Sequence, residues 1–247
     1  AFAIISAPYL IDQGGWQLVW QAGLGFSVFV CFLGWLFIPN DAWLMRSHFD
    51  IATLRHAIRL PLLTFIGLSF ACHSLVYQTL IQYIPLITQS FVGVSLSEGA
   101  LITGLFCLMN FCGNVIAGQA LQRGLKPAHI IRFVFLIVPL LLITLILLRD
   151  SPPILFLLLS LVGLVTGGSA PIFFYLVSRS NKDPKNLPVF VAWTFQIQGL
   201  GMLVGPALVG WVVDMTQNWS FGILCLVPAC VGVILMSGRL ALVDQHS

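Results

Sequence analysis

Among the long apolar stretches of this 247-residue chain, His73 is the one side chain that takes up a proton near neutral pH. An ionisable group set in hydrocarbon is costly, and it faces either a bundle interior or water. Two readings stand for it. His73 binds a solute or a coupling proton, or it sits neutral, hydrogen-bonded between helices. Ser69 and Tyr77 lie one helical turn to either side of it, and Ser74, Gln78 and Gln82 form a second stripe nearby. Thr103, Cys107, Asn110 and Asn114 recur at i, i+4, i+7 and i+11, the spacing of one helix face. Amides in hydrocarbon need partners, either a neighbouring helix or a wet cavity. Asn110, near mid-span, is expected at a cavity; Asn114, beside closely spaced glycines, is expected to pack. Gln196 and Gln198 point about 200° apart at about 100° per residue, so both cannot line one cavity. Gln198 shares a stripe with Gly201 and Gly205, which reads as packing. Gln196, with Trp193 one turn before it, is the choice for a lumen. The candidate solute or proton path is therefore His73, Tyr77, Gln78, Asn110, Trp193 and Gln196.

Other chemistries find little support. No nucleophile–base set, phosphate-cradling loop or pair of carboxylates stands out, so neither an enzyme nor a cofactor is expected. The six cysteines (Cys31, Cys72, Cys107, Cys112, Cys225 and Cys230) lie within apolar stretches and lack zinc-site spacing, so they read as small packing residues and no metal site is expected. Glu98 follows Ser97 where a helix N-cap and first-turn acid belong, and reads as structural.

The elements that must hold these groups are membrane spans. The chain is 59% hydrophobic and 8% charged, with mean hydropathy +1.00, whereas soluble domains carry about 25% charged residues. Seven apolar stretches, roughly 16–38, 60–84, 100–121, 133–148, 154–178, 189–213 and 221–236, approach or exceed the ~20 residues a transmembrane helix needs. Period-2 alternation is absent, which argues against a transmembrane β-barrel. If the stretches cross a bilayer alternately, Arg46, Arg55, Arg59, Arg123, Lys126, Arg132, Arg179, Lys182, Lys185 and Arg239 fall on one face and only Arg149 on the other, accounting for all 11 Lys and Arg. Moving the parity by one stretch scrambles this partition, so it supports both the count and a cytoplasmic basic face, with the carboxy terminus in the cytoplasm. The net charge of +3 reads as a topology signal and an attraction to anionic lipid, not as a nucleic-acid surface.

Residues 1–11 read as the outer end of a helix whose beginning is absent, so the chain is expected to be a carboxy-terminal piece of a longer protein. A polar connection at 40–59 contains a candidate surface helix and separates the first stretch from six others. These six divide into triplets at Arg149-Asp150-Ser151-Pro152-Pro153. The second helix of each triplet carries comparable glycines: Gly113 and Gly118 in one, Gly205-Pro206 and Gly210 in the other. Opposite crossing senses fit an inverted repeat. Pro139, Pro171, Pro206 and Pro228 fall inside stretches and are expected to kink them.

Three motifs together resemble the major facilitator superfamily: Gly14-Gly15-Trp16 before a helix ending at Pro39; Gly113-x4-Gly118-x4-Arg123-x2-Lys126; and Gly199-x-Gly201-x3-Gly205-Pro206-x3-Gly210-x3-Asp214 followed by Asn218-Trp219. The resemblance implies an all-α polytopic bundle running from the end of helix five to helix twelve of a twelve-helix pattern. Residues 1–39 would end the amino-terminal bundle and 40–59 form the central cytoplasmic loop. Residues 60–247 would form the carboxy-terminal bundle of two repeats, about 60–149 and 150–247. It further implies conformational gating by Gly118, Arg123 and Lys126, and helix packing through Gly113, Gly201, Gly205, Pro206 and Gly210. Gln122 and Leu125 stand where the family has an acid and a glycine, the glycine having moved to Gly124, so no acid–base latch is expected there. The function implied is proton-coupled secondary transport of a small solute by alternating access in the plasma (bacterial inner) membrane, completed by a missing amino-terminal half. A membrane-embedded enzyme would call for clustered acids or histidines at one depth, which are lacking; a seven-helix receptor or retinal protein would call for a suitably placed ligand or Schiff-base lysine, and no span has a lysine.

Overall fold

In the computed structural model, residues 2–37, 51–180 and 183–240 are described, and they contain helices and no strand. Pro39, Arg46, His48 and Lys182, and with them most of the expected 40–59 connection, lie outside that set. The helices are α1 (Phe2–Phe37), α2 (Ile51–Arg59), α3 (Pro61–Val92), α4 (Leu96–Gln122), α5 (Pro127–Leu147), α6 (Pro152–Gly167), α7 (Ala170–Arg179), α8 (Leu187–Thr216), α9 (Trp219–Leu224) and α10 (Val227–Leu240), with a 3-10 turn at Pro184–Asn186 before α8. Taking α6 with α7 and α9 with α10, seven elements are long and apolar enough to cross a membrane. The protein is an all-α multi-pass membrane protein.

Two of the expected uninterrupted spans are broken, and a third junction is sharper than a loop. The 154–178 stretch divides at Gly168-Ser169 and the 221–236 stretch at Cys225-Leu226. Pro171 and Pro228 have no N–H for the carbonyls of Gly167 and Leu224, where the preceding helices stop. By contrast α5 and α8 run on through Pro139 and Pro206, as α3 does through Pro85. In α1 the turn is a two-residue break: Gly14 leaves helical geometry and Gly15 takes φ +69, which glycine adopts without a side-chain clash. The start of α4 is capped two residues earlier than the sequence suggested. Ser95, not Ser97, is the cap; its hydroxyl accepts from the Glu98 amide at 3.2 Å while the Glu98 carboxylate accepts from the Ser95 amide at 2.8 Å.

Within the bundle α3 lies along α8 and α4 along α6, while α5 touches both α6 and α10, and α10 also touches α3. Exchanging α3 with α6–α7, α4 with α8, and α5 with α9–α10 maps these pairings onto themselves. Both long seams are lined by glycine. Between α3 and α8, a Cβ on Gly201 would fall on the Ala71 carbonyl and one on Gly205 on the Leu75 carbonyl and Thr79 hydroxyl. Between α4 and α6, Gly113 meets the Leu164 carbonyl, Gly163 that of Phe106, and Gly167 that of Asn110. Without a hydrophobic drive in lipid, such backbone approach is what lets dispersion hold helices together. The spaces between seams are filled by fully buried rings of Phe106, Phe135, Phe173 and Phe190.

Candidate functional site

His73 sits at the middle of α3 with 5% of its surface exposed. Its Nδ1 is 2.7 Å from the Ser169 hydroxyl, in the break between α6 and α7, and that hydroxyl donates to the Thr166 carbonyl at 2.7 Å. The same carbonyl also accepts from the Ser169 backbone amide at 3.2 Å, so the hydroxyl reinforces the turn at the break. The imidazole is enclosed by rings. Tyr77 stacks on it with centroids 5.8 Å apart and planes at 10°, and Phe70, Phe173 and Phe135 approach at 6.0, 6.3 and 6.4 Å. Tyr77, half-buried, stacks in turn on Phe106 of α4 at 5.6 Å. Ser69, one turn below, donates to the Met236 sulfur at 3.8 Å.

Of the two α4 amides, Asn110 turns toward α6 and Asn114 bonds back along α4. Asn110 Nδ2 donates to the Gly163 carbonyl and the Thr166 hydroxyl, each at 3.3 Å, and Asn114 Nδ2 donates to the Asn110 carbonyl at 2.9 Å. Asn110, expected at a cavity, therefore places its amide in the α4–α6 seam, next to the glycines that let the two backbones close. Thr166 joins the two halves of this network: its hydroxyl meets Asn110, and its carbonyl meets Ser169 and through it His73. The result is a polar chain from α3 through the helix break to α4.

The remaining candidates lie on more open surface. Gln78 is half-buried, and Gln82, one turn further on, is exposed. On α8 Gln196 is exposed, Gln198 half-buried, and Trp193 half-buried with its indole Nε1 covered and without a hydrogen-bond partner among the described residues. Pro206 offers its carbonyl to the Tyr83 hydroxyl at 3.1 Å, and Gly210 lies against the same hydroxyl. Arg123 and Lys126 are exposed at the α4–α5 turn, and Gly118, half-buried, has open space before its α-carbon. Gly124 takes φ +84, with its amide and that of Leu125 bonding back to the Leu121 and Ala120 carbonyls, each at 3.0 Å. The displaced glycine of the loop motif is thus the left-handed residue that ends α4. Sequence reasoning missed Ser169 and Thr166. The run Gly167-Gly168-Ser169-Ala170-Pro171 was the available signal, small residues ahead of a helix-breaking proline.

The polar groups of this chain spend their hydrogen bonds on one another and on backbone carbonyls, and no acid–base pair for covalent chemistry stands among the named groups. Its class is a helical-bundle membrane protein with two glycine-lined seams and a polar chain across the interior. The model for the Major Facilitator Superfamily matches residues 1–197, and the chain belongs to that superfamily. Among solved structures, a variant of the E. coli fucose:proton symporter FucP resembles it with TM-score 0.69 at 16% identity, over 94% of this chain and 58% of that one. An auto-inhibited peptide transporter of the POT family resembles it with TM-score 0.60 at 20% identity, over 72% of this chain and 37% of that one. At such identities the likeness shows the fold, and this chain spans only 58% and 37% of the lengths of those proteins. No curated protein matches it significantly.

Proposed function

We propose that the chain is part of a secondary transporter that moves a small polar or amphipathic solute by alternating access, coupled to protons. Membership of the Major Facilitator Superfamily over residues 1–197 carries this reading. The named proton symporter among its structural neighbours makes proton coupling the first form to test. The self-mapping helix pairings support division of 60–247 into two inverted repeats of three spans, and the charge partition supports a cytoplasmic basic face. A second bundle would cover α1, which meets α4 where Gly104 faces Ile5 but otherwise exposes Trp20, Trp35 and Phe37. In this reading Gln78, Gln196 and Trp193 contact solute. His73 and Tyr77 stand behind them as the proton or orienting pair, Asn110 holds the backbone against which they move, and Arg123 and Lys126 act at the cytoplasmic turn.

The test is solute-driven proton movement in everted vesicles, with the protein expressed from its whole reading frame and a panel of sugars, peptides and amphipathic amines supplied. A solute that collapses the pH gradient in the wild type, but not in His73→Ala, supports the assignment. A variant that keeps the wild-type rate and pH profile removes His73 from the path, and a panel with no response overturns the proton coupling.

A further inference from the structure

The short helix α2 has an apolar arc wider than the bundle covers. At about 100° per residue, Ala57, Leu54, Ile58 and Ile51 follow one another around one side, and Arg55 and Arg59 come next. The bundle covers only the first part of that arc. Ala57 is 0% exposed and Leu54 packs against the core, whereas Ile58 is 47% and Ile51 68% exposed. The covered side rests on α3 and α8, with His56 6.1 Å from the Phe190 ring. Only Leu60 separates α2 from Pro61, the first residue of a membrane span, so the helix lies at the membrane boundary by connection alone. Isoleucines left open beside exposed arginines, at that depth, match an interface where acyl chains take up the apolar side and phosphates meet the cations.

We propose that α2 is a membrane-surface helix that binds anionic phospholipid headgroups through Arg55 and Arg59, while Ile51 and Ile58 enter the acyl layer. The surface is continuous with the lipid-facing belt of α3, and its charge is opposite to that of a phosphatidylglycerol leaflet. Because α2 also contacts Phe190 at the start of α8, the lipid bound there braces the end of the α3–α8 seam. This inference rests on α3 spanning the membrane and not on transport, so failure of either leaves the other standing.

The experiment uses the whole purified chain in mild detergent, with native mass spectrometry counting retained phosphatidylglycerol against phosphatidylcholine. The wild type should prefer phosphatidylglycerol, and the preference should weaken as salt shortens the screening length from about 10 Å at 0.1 M to about 3 Å at 1 M. R55Q and R59Q should each lower the preference about fivefold, the size expected for one basic residue at an anionic surface. R123Q/K126Q, two exposed cations on another turn, should leave most of it intact. In vesicles, I51W should add a tryptophan signal that brominated acyl chains quench. A preference untouched by R55Q/R59Q, or equally lost in R123Q/K126Q, overturns the assignment. So does displacement by millimolar inorganic phosphate, which would mark a soluble-anion site, or an I51W signal that bromolipid does not reach, which would mean protein covers that side. The wild-type salt series decides the matter even if a variant fails to fold.

Discussion

At the scale of single residues, rarity made His73 legible and its partner was not. One ionisable side chain in several spans draws notice from sequence alone, but Ser169 lies 96 positions away and only the fold brings it to 2.7 Å. The same holds for Asn110. Its spacing placed it on a polar face, and the contact that decides its role is a Gly163 carbonyl on another helix. Ser169→Ala should destabilise the detergent-solubilised chain by about 0.6 kcal/mol and by no more than about 1.7 kcal/mol, the mean and maximum measured for side-chain hydrogen bonds between membrane helices. The double variant His73→Ala/Ser169→Ala should cost less than the sum of the singles, because the pair is lost only once. Thermal or denaturant unfolding measures both, and strict additivity would show that the two side chains do not interact. At the end of α4, Gly124→Ala forces a methyl into φ +84 and should cost about 1–2 kcal/mol in the same assay, with no effect expected from Gly118→Ala, which has open space.

At the scale of elements, spans were easy to find and their continuity was not. Apolar length identifies a crossing whatever its backbone does, since lipid solvates a broken helix as readily as a whole one when neighbours satisfy the freed carbonyls. Pro171 and Pro228 end helices while Pro139 and Pro206 do not. In the first break, the flanking Gly167-Gly168 and the hydroxyl of Ser169 supply the freedom and the hydrogen bond that a break requires. The glycine seams were legible as spacing, but their partners were not: nothing in Gly201 names Ala71. Gly201→Leu should therefore be severe, since the new side chain meets a backbone carbonyl that cannot rotate away. Overpacking of this kind costs about 1–3 kcal/mol and often more. The expected result is loss of the monodisperse peak on size-exclusion chromatography, while Gly199→Leu, two residues away in open space, melts within about 0.5 kcal/mol of wild type. Equal behaviour of the two variants would mean that α3 and α8 are not held at backbone distance.

At the scale of the whole molecule, the charge distribution and the packing bear on one question, which end of the bundle faces the cytoplasm. α3 begins beside Arg59 and ends at Val92, next to Phe91, whose ring centroid lies 5.4 Å from the Arg149 guanidinium. Arg149 Nη1 also donates to the Ser220 hydroxyl at 2.9 Å, and its Nε is 3.9 Å from Asp150. Arg149, the one cation of that end among the described residues, thus ties together the ends of α3, α5 and α9, and Asp150 offsets its charge. At the opposite end Arg123, Lys126 and Lys185 are exposed, without such enclosure. Topology follows cations in short loops, and acids contribute little. One Arg is a weak retention signal beside the several cations of the opposite end. A phosphatase reporter fused after Asp150 should therefore be active outside the cytoplasm, and a fluorescent-protein reporter fused after Lys185 should fold and fluoresce inside it. Inserting three lysines after Asp150 should erode that contrast by giving the outer turn a competing signal, with phosphatase activity falling severalfold. If both reporters report the same compartment in the unmodified chain, α6 and α7 do not together make one crossing, and the alternation on which the orientation rests is lost.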